Sequence, residues 1–147
     1  MRRAATFLRH FGGERGLLTQ PGWAPHSADV LDADDAAAPA AFGSRFGAAD
    51  GERVYLVVNV ADRAARARVA AGGANAAVFD CYSGAALAPD ADGAVELALG
   101  PLDLGCAYVA PTGGAVPAAT KAFLESTTGV TAAPLGSFSA EWTCVDR

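Results

Sequence analysis

The feature that most constrains the fold of this sequence is the apolar run at residues 53–60, Arg-Val-Tyr-Leu-Val-Val-Asn-Val. Valine, leucine and tyrosine side chains fit the pleated surface of a sheet. Because the apolar residues follow one another and do not alternate strictly with polar ones, the run predicts a strand that is buried on both faces. Residues 53–60 are therefore expected to form the centre of a sheet.

Shorter strand-like runs surround this one, and Gly, Pro, Asn or Asp separates each from the next. They lie at residues 42–46, as a first, edge strand, and at residues 65–70, 77–82, 94–99 and 104–110. No helical pattern intervenes between them, which favours antiparallel pairing over a parallel βαβ arrangement. The predicted fold class is mainly β: an antiparallel β-sandwich with a short N-terminal helix and a C-terminal helix.

The helical patterns lie near the two ends of the sequence. The first places apolar side chains on one face, at Ala4, Phe7, Leu8 and Phe11, and Gly12 and Gly13 end it. An arginine-rich, acid-free start of this kind is also typical of an organellar transit peptide. The second pattern covers residues 117–128, with Lys121 and Glu125 outside. Its predicted sheet-facing residues are Ala119, Ala122, Phe123 and Ser126.

Residues 17–41 contain few large apolar side chains and predict an irregular connection over the surface, held in place by Trp23. Four aspartates lie in its second half, at positions 29, 32, 34 and 35. Carboxylate oxygens suit Ca²⁺, but no glycine lies where an EF-hand loop needs one. A solvated acidic loop is therefore the favoured interpretation, and residues 89–93 are interpreted as the loop of a hairpin.

Charge excludes one class of partner. The net charge of −5 opposes binding to nucleic acid, which requires clustered Lys and Arg. No apolar run approaches the length of a membrane span, about 18 residues or more, so no membrane contact of that kind is predicted. Gly72 and Gly73 predict a turn and not a phosphate-binding loop. No metal ion or other cofactor is expected.

The cysteines, Cys81, Cys106 and Cys144, are odd in number and widely spaced, which suggests neither a disulfide framework nor a zinc site. Buried thiols are the favoured interpretation, although Cys81 and Cys106 fall in predicted strands and could approach each other. Asp80, Cys81 and Ser83 do not converge on one strand face, and His10 and His26 lie outside the predicted sheet. No nucleophile–base pair is therefore indicated.

Two kinds of side chain are candidates for ligand binding. Trp23 and Trp142 could stack on a sugar ring, although a packing anchor is the favoured interpretation of both. Arg66 and Arg68 alternate with alanines on one strand face and could grip an anion. The favoured interpretation of the two arginines is an edge strand kept soluble by charge.

Several motifs together resemble a known domain. They are Val54-Tyr-Leu-Val-Val-Asn59, then Phe79-Asp80-x-Tyr82-x-Gly84 with Leu87 and Pro89, then Gly93-x-Val95-x-Leu97-x-Leu99 and Gly105-Cys-Ala-Tyr-Val109. In this order they resemble the C-terminal β-sandwich domain that follows the barrel of many glycoside hydrolases, the α-amylase type included. The resemblance covers roughly residues 42 to 110.

The resemblance implies a division of the chain and a role. Residues 1–41 would be a helix and linker at the end of a preceding barrel, residues 42–112 the β-sandwich, and residues 113–147 a helix and an extended tail. The catalytic carboxylates of such enzymes lie on the barrel, so this chain alone is expected not to be an enzyme. It would be a non-catalytic accessory domain that stabilises or covers a neighbouring glycosidase-like domain. The alternative is a free-standing β-sandwich module that binds carbohydrate or protein.

Overall fold

The computed structural model describes residues 7–14, 16–34, 37–47, 51–113 and 115–128 and contains two antiparallel β-sheets. The strands are β1 (Val30–Asp32), β2 (Ala41–Gly47), β3 (Arg53–Asn59), β4 (Ala65–Ala70), β5 (Val78–Asp80), β6 (Ala86–Leu87), β7 (Ala94–Leu99) and β8 (Leu104–Val109). The larger sheet has the order β2-β3-β8-β5-β6 and the smaller one the order β1-β4-β7. The predicted antiparallel sandwich is confirmed.

Helical segments lie at both ends of the described chain. A π-helical segment, here called the N-terminal helix, spans Leu8–Glu14, and a 3₁₀ turn at Leu17–Thr19 follows it. The C-terminal helix α1 spans Ala118–Thr127, as the sequence predicts to within a residue. Among the described residues, no helix is both long enough and apolar enough to cross a bilayer.

The first core fills the space between the two sheets. Tyr55 and Val57 of β3 are fully buried there against Val69 of β4 and Leu97 of β7. Val57 lies between Gly43 of β2 and Gly105 of β8 in register. An added Cβ atom on Gly43 would come within 2.5 Å of Val30 Cγ2, and one on Gly105 within 2.7 Å of Leu99 Cδ2. The missing side chains therefore let the smaller sheet approach Val57 closely.

The second core lies on the opposite face of the larger sheet, which we call the outer face. Val54 and Tyr108 are completely buried there beneath Phe7, Phe11 and Phe123. The molecule thus has three layers: the smaller sheet, the larger sheet, and the helices. Strand β3 is buried on both faces around Val54 and Tyr55, as predicted.

Two expectations about strand position are wrong. Strand β3 is the second strand of its sheet, and β8 occupies the centre. Strand β4 is the middle strand of the smaller sheet and not an edge strand, because β1 and β7 pair with it on its two sides. Its burial still alternates as the arginine pattern predicts, with Ala65, Ala67 and Val69 buried. Polar alternation reveals a solvated face but not whether a neighbouring strand exists.

The segment before β2 and the loop before β7 also differ from expectation. Residues 17–34 are not merely an irregular surface connection, since Leu17 and Val30 are buried and Val30 begins strand β1. Residues 89–93 do not close a hairpin, because β6 belongs to the larger sheet and β7 to the smaller one. The Asp90 carboxylate accepts hydrogen bonds from the Asp92 and Ala94 amides and so turns the chain from one sheet to the other.

The sheet-facing side of α1 differs from the prediction by part of a turn. Its buried residues are Thr120, Phe123 and Leu124, whereas Ala119, Ala122 and Ser126 are exposed. The predicted outward pair is found, with Lys121 Nζ 4.0 Å from Glu125 Oε1. Alanine is too small to decide which face of a helix is covered, and the two large side chains decide it instead.

Cys81 and Cys106 form a disulfide bond, with their Cα atoms 5.3 Å apart, and both are fully buried in the second core. The interpretation as buried thiols is therefore wrong for these two residues. Cys81 lies in the turn just after β5, where its amide donates to the Cys106 carbonyl 3.1 Å away. Cys144 lies outside the described residues.

Candidate functional site

Residues 23–27 extend the larger sheet beyond its edge strand β2. The amide of Ala24 donates to the Arg45 carbonyl at 2.8 Å, and the Arg45 amide donates to the Ala24 carbonyl at 2.9 Å. The Ser27 amide then donates to the Gly43 carbonyl at 2.8 Å. These backbone bonds hold the side chains of Trp23 and His26 beside strand β2.

Aromatic rings therefore meet in two pairs along this edge. The Trp23 ring stacks on Phe46, with centroids 6.5 Å apart and planes 17° apart. The His26 ring meets Phe42 edge-on, with centroids 5.9 Å apart. His26 has a backbone φ of 46°, an uncommon left-handed conformation for a residue other than glycine. We call Trp23, Phe46, His26 and Phe42 the aromatic edge.

Next to the aromatic edge, apolar residues cross three strands of the outer face. Phe42 of β2 lies opposite Val58 of β3, which in turn lies opposite Leu104 of β8. Phe42 and Val58 are half-buried, and Leu104 is 46% exposed. We call these three residues the apolar row. With His26 and Ser44 they line an open cleft of about 180 Å³.

The helices cover only part of the outer face. Val54, Cys106 and Tyr108 lie beneath them in the second core, whereas the apolar row lies toward the other end of β3 and β8. One end of the face is thus sealed by the chain itself. The other end presents apolar surface to solvent.

Charged groups lie on the opposite face of the same edge. Arg45 Nη1 donates to Asp29 Oδ2 at 2.8 Å, and the Tyr55 hydroxyl donates to the same oxygen at 3.3 Å and to the Ala70 carbonyl at 3.1 Å. Burial raises the pKa of the Tyr55 phenol, and Asp29 adds to the rise while Arg53 opposes it. This network fastens β2 to the smaller sheet and contributes no charge to the aromatic edge.

Arg66 and Arg68 both point to solvent from the exposed face of the smaller sheet. Both form ion pairs with acids of this chain. Arg66 pairs with Asp34 at 2.6 Å and with Glu96 at 3.4 Å. Arg68 pairs with Asp90 at 2.6 Å and with Asp92 at 2.8 Å. An anionic ligand would have to displace these carboxylates. The shallow depression of about 450 Å³ beside Arg66 is therefore a poor anion site.

The aspartates considered as Ca²⁺ ligands and interpreted as a solvated acidic loop make separate contacts. Asp29 binds Arg45, Asp34 binds Arg66, and Asp32 accepts hydrogen bonds from the amides of Ala40 and Ala41. Asp35 lies outside the described residues. Within the described part of the chain, no group of three His, Cys, Asp or Glu side chains is placed to hold a metal ion. The interpretation as a solvated acidic loop is too simple, since these carboxylates organise the fold.

The remaining polar candidates are structural or buried. The Ser83 hydroxyl donates to Asp80 Oδ2 at 2.9 Å, within a turn that the Asp80 carboxylate also organises through the Tyr82 amide. His10 is 3% exposed, with its ring stacked on Phe123 and Nε2 3.2 Å from Thr120 Oγ1. Glu52 is a buried acid. It is 1% exposed and accepts a 2.8 Å hydrogen bond from the Tyr108 hydroxyl.

The two tryptophans considered for ligand stacking therefore have different outcomes. Trp23 is 58% exposed and belongs to the aromatic edge, whereas Trp142 lies outside the described residues. Sequence reasoning missed His26, Phe42 and Phe46 as parts of a site. The alternation Phe42-x-Ser44-x-Phe46 in the sequence indicates that the two phenylalanines share one face of a strand. The sequence did not predict that residues 23–27 pair with β2, so His26 and Trp23 were not placed beside them.

No protein-family model matches this sequence, and no curated protein shows significant similarity to it.

Proposed function

We propose that the chain is a non-catalytic, C-terminal β-sandwich accessory domain of a glycoside-hydrolase-like protein. In this proposal it stabilises or covers a neighbouring barrel domain. The motif resemblance over residues 42 to 110 suggests the class, and the apolar row is the observation that carries the proposal. Partly exposed Phe42, Val58 and Leu104 in adjacent strands form the kind of surface that a neighbouring domain covers.

The contact is assigned to the apolar row and not to the N-terminal helix. Phe7 and Phe11 are 2% and 0% exposed and pack on the outer face of this chain's own sheet. A helix at the end of a preceding barrel would be expected to turn these side chains toward that barrel, whereas here they are covered by this chain's own sheet. Leu8, by contrast, is 54% exposed.

The native polypeptide tests this proposal. An antibody against residues 51–113 should isolate from the source organism a polypeptide, or a stable complex, that also yields peptides of a glycosidase-like barrel. Limited cross-linking should then join that barrel to residues near the apolar row. A native species of 14.8 kDa without any barrel partner would contradict the accessory role.

The expected lack of glycosidase activity is tested separately on the purified chain. Glycoside hydrolysis requires two carboxylates about 5 to 10 Å apart across a cleft. The buried carboxylate described above, Glu52, is hydrogen-bonded to Tyr108 of the second core and lines neither the cleft beside the aromatic edge nor the depression beside Arg66. We expect no turnover of aryl glycosides or of starch-like polymers. Activity that survives repurification and is lost on replacing a single acid, for example Glu52→Gln, would refute this expectation.

A free-standing carbohydrate- or protein-binding module is the second candidate. The observation that favours it is the exposure of Trp23, which is 58% accessible although it is the largest side chain near β2. A module of this type would bind its ligand with no barrel present. Binding by the isolated chain, together with a native species of the chain's own mass, would favour this candidate over the accessory domain.

A further inference from the structure

We propose that the aromatic edge is a binding surface for a neutral carbohydrate chain, with Trp23 as its principal stacking platform. This inference concerns the edge of the larger sheet and holds whether or not a neighbouring domain covers the apolar row. It rests on four properties of the aromatic edge: where its side chains lie, what they pack against, how long the surface is and what charge surrounds it.

Trp23 is exposed yet held in place. Its ring is backed by Phe46 at 6.5 Å, and the two hydrogen bonds between Ala24 and Arg45 fix the adjacent backbone. A ring supported in this way loses little conformational freedom when a ligand binds. Planar aromatic faces suit the apolar C–H faces of pyranose rings, which gives the exposed indole a function that core packing would not require.

The length of the surface fits several linked rings. Phe46 and Phe42 are four residues apart on one face of β2, which separates them by about 14 Å along the strand. That distance corresponds to about three linked pyranose rings, so a chain stacked on Trp23 would extend to His26. We therefore expect an oligosaccharide, and not a single sugar, to fill the surface.

Hydrogen-bonding groups lie at the far end of this surface. Ser44 lies between Phe42 and Phe46 on the same face, and Ser44 and His26 both line the cleft of about 180 Å³. Their hydroxyl and imidazole groups can exchange hydrogen bonds with sugar hydroxyls. His26, whose backbone is left-handed, places its ring edge-on to Phe42.

The charge distribution selects a neutral ligand. Arg45, which lies between Ser44 and Phe46 in β2, pairs with Asp29 at 2.8 Å on the opposite side of the strand. The net charge of −5 disfavours acidic polymers, nucleic acids included. Aromatic rings flanked by hydroxyl and imidazole groups suit a neutral glycan better than a charged peptide.

The fluorescence of Trp23 provides a direct test. Because the chain has two tryptophans, the variant Trp142→Phe leaves Trp23 as the single indole. We would titrate this variant with malto-, cello- and xylo-oligosaccharides of one to six rings and follow emission and heat. At least one series should shift the Trp23 emission, with affinity rising up to about three rings and then levelling off.

Matched variants separate stacking from folding. In the full chain, Trp23→Ala should lower the affinity about tenfold, and His26→Ala should lower it less. Leu31→Ala removes a side chain of similar exposure, 57%, from the smaller sheet and should leave the affinity unchanged. Unchanged thermal unfolding of each variant would show that the fold is intact.

Three results would overturn the carbohydrate proposal. They are failure of all three oligosaccharide series to bind the folded chain, equal affinity of the Trp23→Ala variant, and binding of only sulfated glycans or peptides. Each leaves the accessory role standing, since that role is tested on the native polypeptide. Absence of a barrel partner would conversely leave the carbohydrate proposal intact.

Discussion

At the scale of single residues, Asn59 shows how one polar side chain joins distant loops. It is fully buried at the end of β3, and its amide nitrogen donates to the carbonyls of Arg63 and Gly100, each at 2.7 Å. Its amide oxygen accepts from the Ala61 amide at 3.0 Å. All three hydrogen bonds end on backbone groups, two in the loop after β3 and one in the loop after β7.

Replacing Asn59 should therefore be costly. Asn59→Ala removes all three hydrogen bonds of a fully buried side chain and should lower the free energy of unfolding by about 2 to 4 kcal/mol. Asn59→Asp should cost at least as much, because a carboxylate cannot donate to two carbonyl groups. Urea unfolding measures both. Arg63→Ala, which keeps the backbone carbonyl, is the matched control, and a small effect of Asn59→Ala would contradict the assigned network.

The ion pairs on β4 predict a dependence on pH. Hydrogen bonding from Arg66 lowers the pKa of Asp34, and hydrogen bonding from Arg68 lowers that of Asp90. A carboxyl group with a lowered pKa stabilises the folded state above its unfolded pKa, and this contribution is lost as pH falls through the folded pKa. The melting temperature at low salt should therefore fall below about pH 4.

A double variant isolates these two pairs from the other acids. Arg66→Gln with Arg68→Gln should flatten part of the acid dependence while changing stability at neutral pH only slightly, because both pairs are exposed. If the melting temperature of the double variant falls at low pH in the same way as that of the parent, groups other than these two ion pairs cause the pH dependence.

Sequence reasoning succeeded where side-chain size or alternation was strong. The runs at residues 53–59 and 94–99 predicted their strands because large apolar residues dominate them. It failed at Val30–Asp32, a strand held by pairing with Val69, Arg68 and Ala67, which are far away in sequence. Trp23 was recognised as a candidate, but its partner Phe46 depends on the same kind of long-range pairing.

At the scale of secondary-structure elements, the close approach of the two sheets depends on glycines beside Val57. Gly43 faces Val30, whose Cβ atom would lie 2.8 Å from an added Cβ and cannot move without its backbone. Gly105 instead faces the ends of the Leu99 and Leu97 side chains, which can rotate. Gly105 should therefore tolerate an added side chain better than Gly43 does, although both glycines flank Val57.

Gly43→Ala should destabilise the protein by about 1 to 3 kcal/mol through overcrowding of Val30. Gly105→Ala should cost less, and Gly73→Ala, where an added Cβ meets no atom within 4 Å, serves as the neutral control. The second change Val30→Ala should recover part of the Gly43→Ala loss in a double-mutant cycle. Additive losses would argue against this contact.

At the scale of the whole molecule, the disulfide bond between Cys81 and Cys106 fastens the turn after β5 to the central strand β8 beneath the helices. The bond closes a segment with a sequence separation of 25 residues. Disulfide bonds form where thiols can be oxidised, so production in a reducing compartment should yield a less stable protein.

Thiol titration and unfolding test this bond together. Of the three cysteines, Cys81 and Cys106 are bonded to each other, so the denatured, unreduced protein should show at most one free thiol. Cys81→Ala with Cys106→Ala should lower the free energy of unfolding by about 3 kcal/mol. Cys144→Ala should have no comparable effect. Three titratable thiols in the native preparation would contradict the bond.

The second core also sets the order in which this protein can mature during synthesis. Phe11 and His10 are synthesised more than 100 positions before Phe123, the residue whose ring both of them contact. At usual translation rates that delay is roughly 5 to 20 s. Throughout that delay Phe11 and His10 lack the cover of Phe123, so the second core can be completed only after α1 has been synthesised.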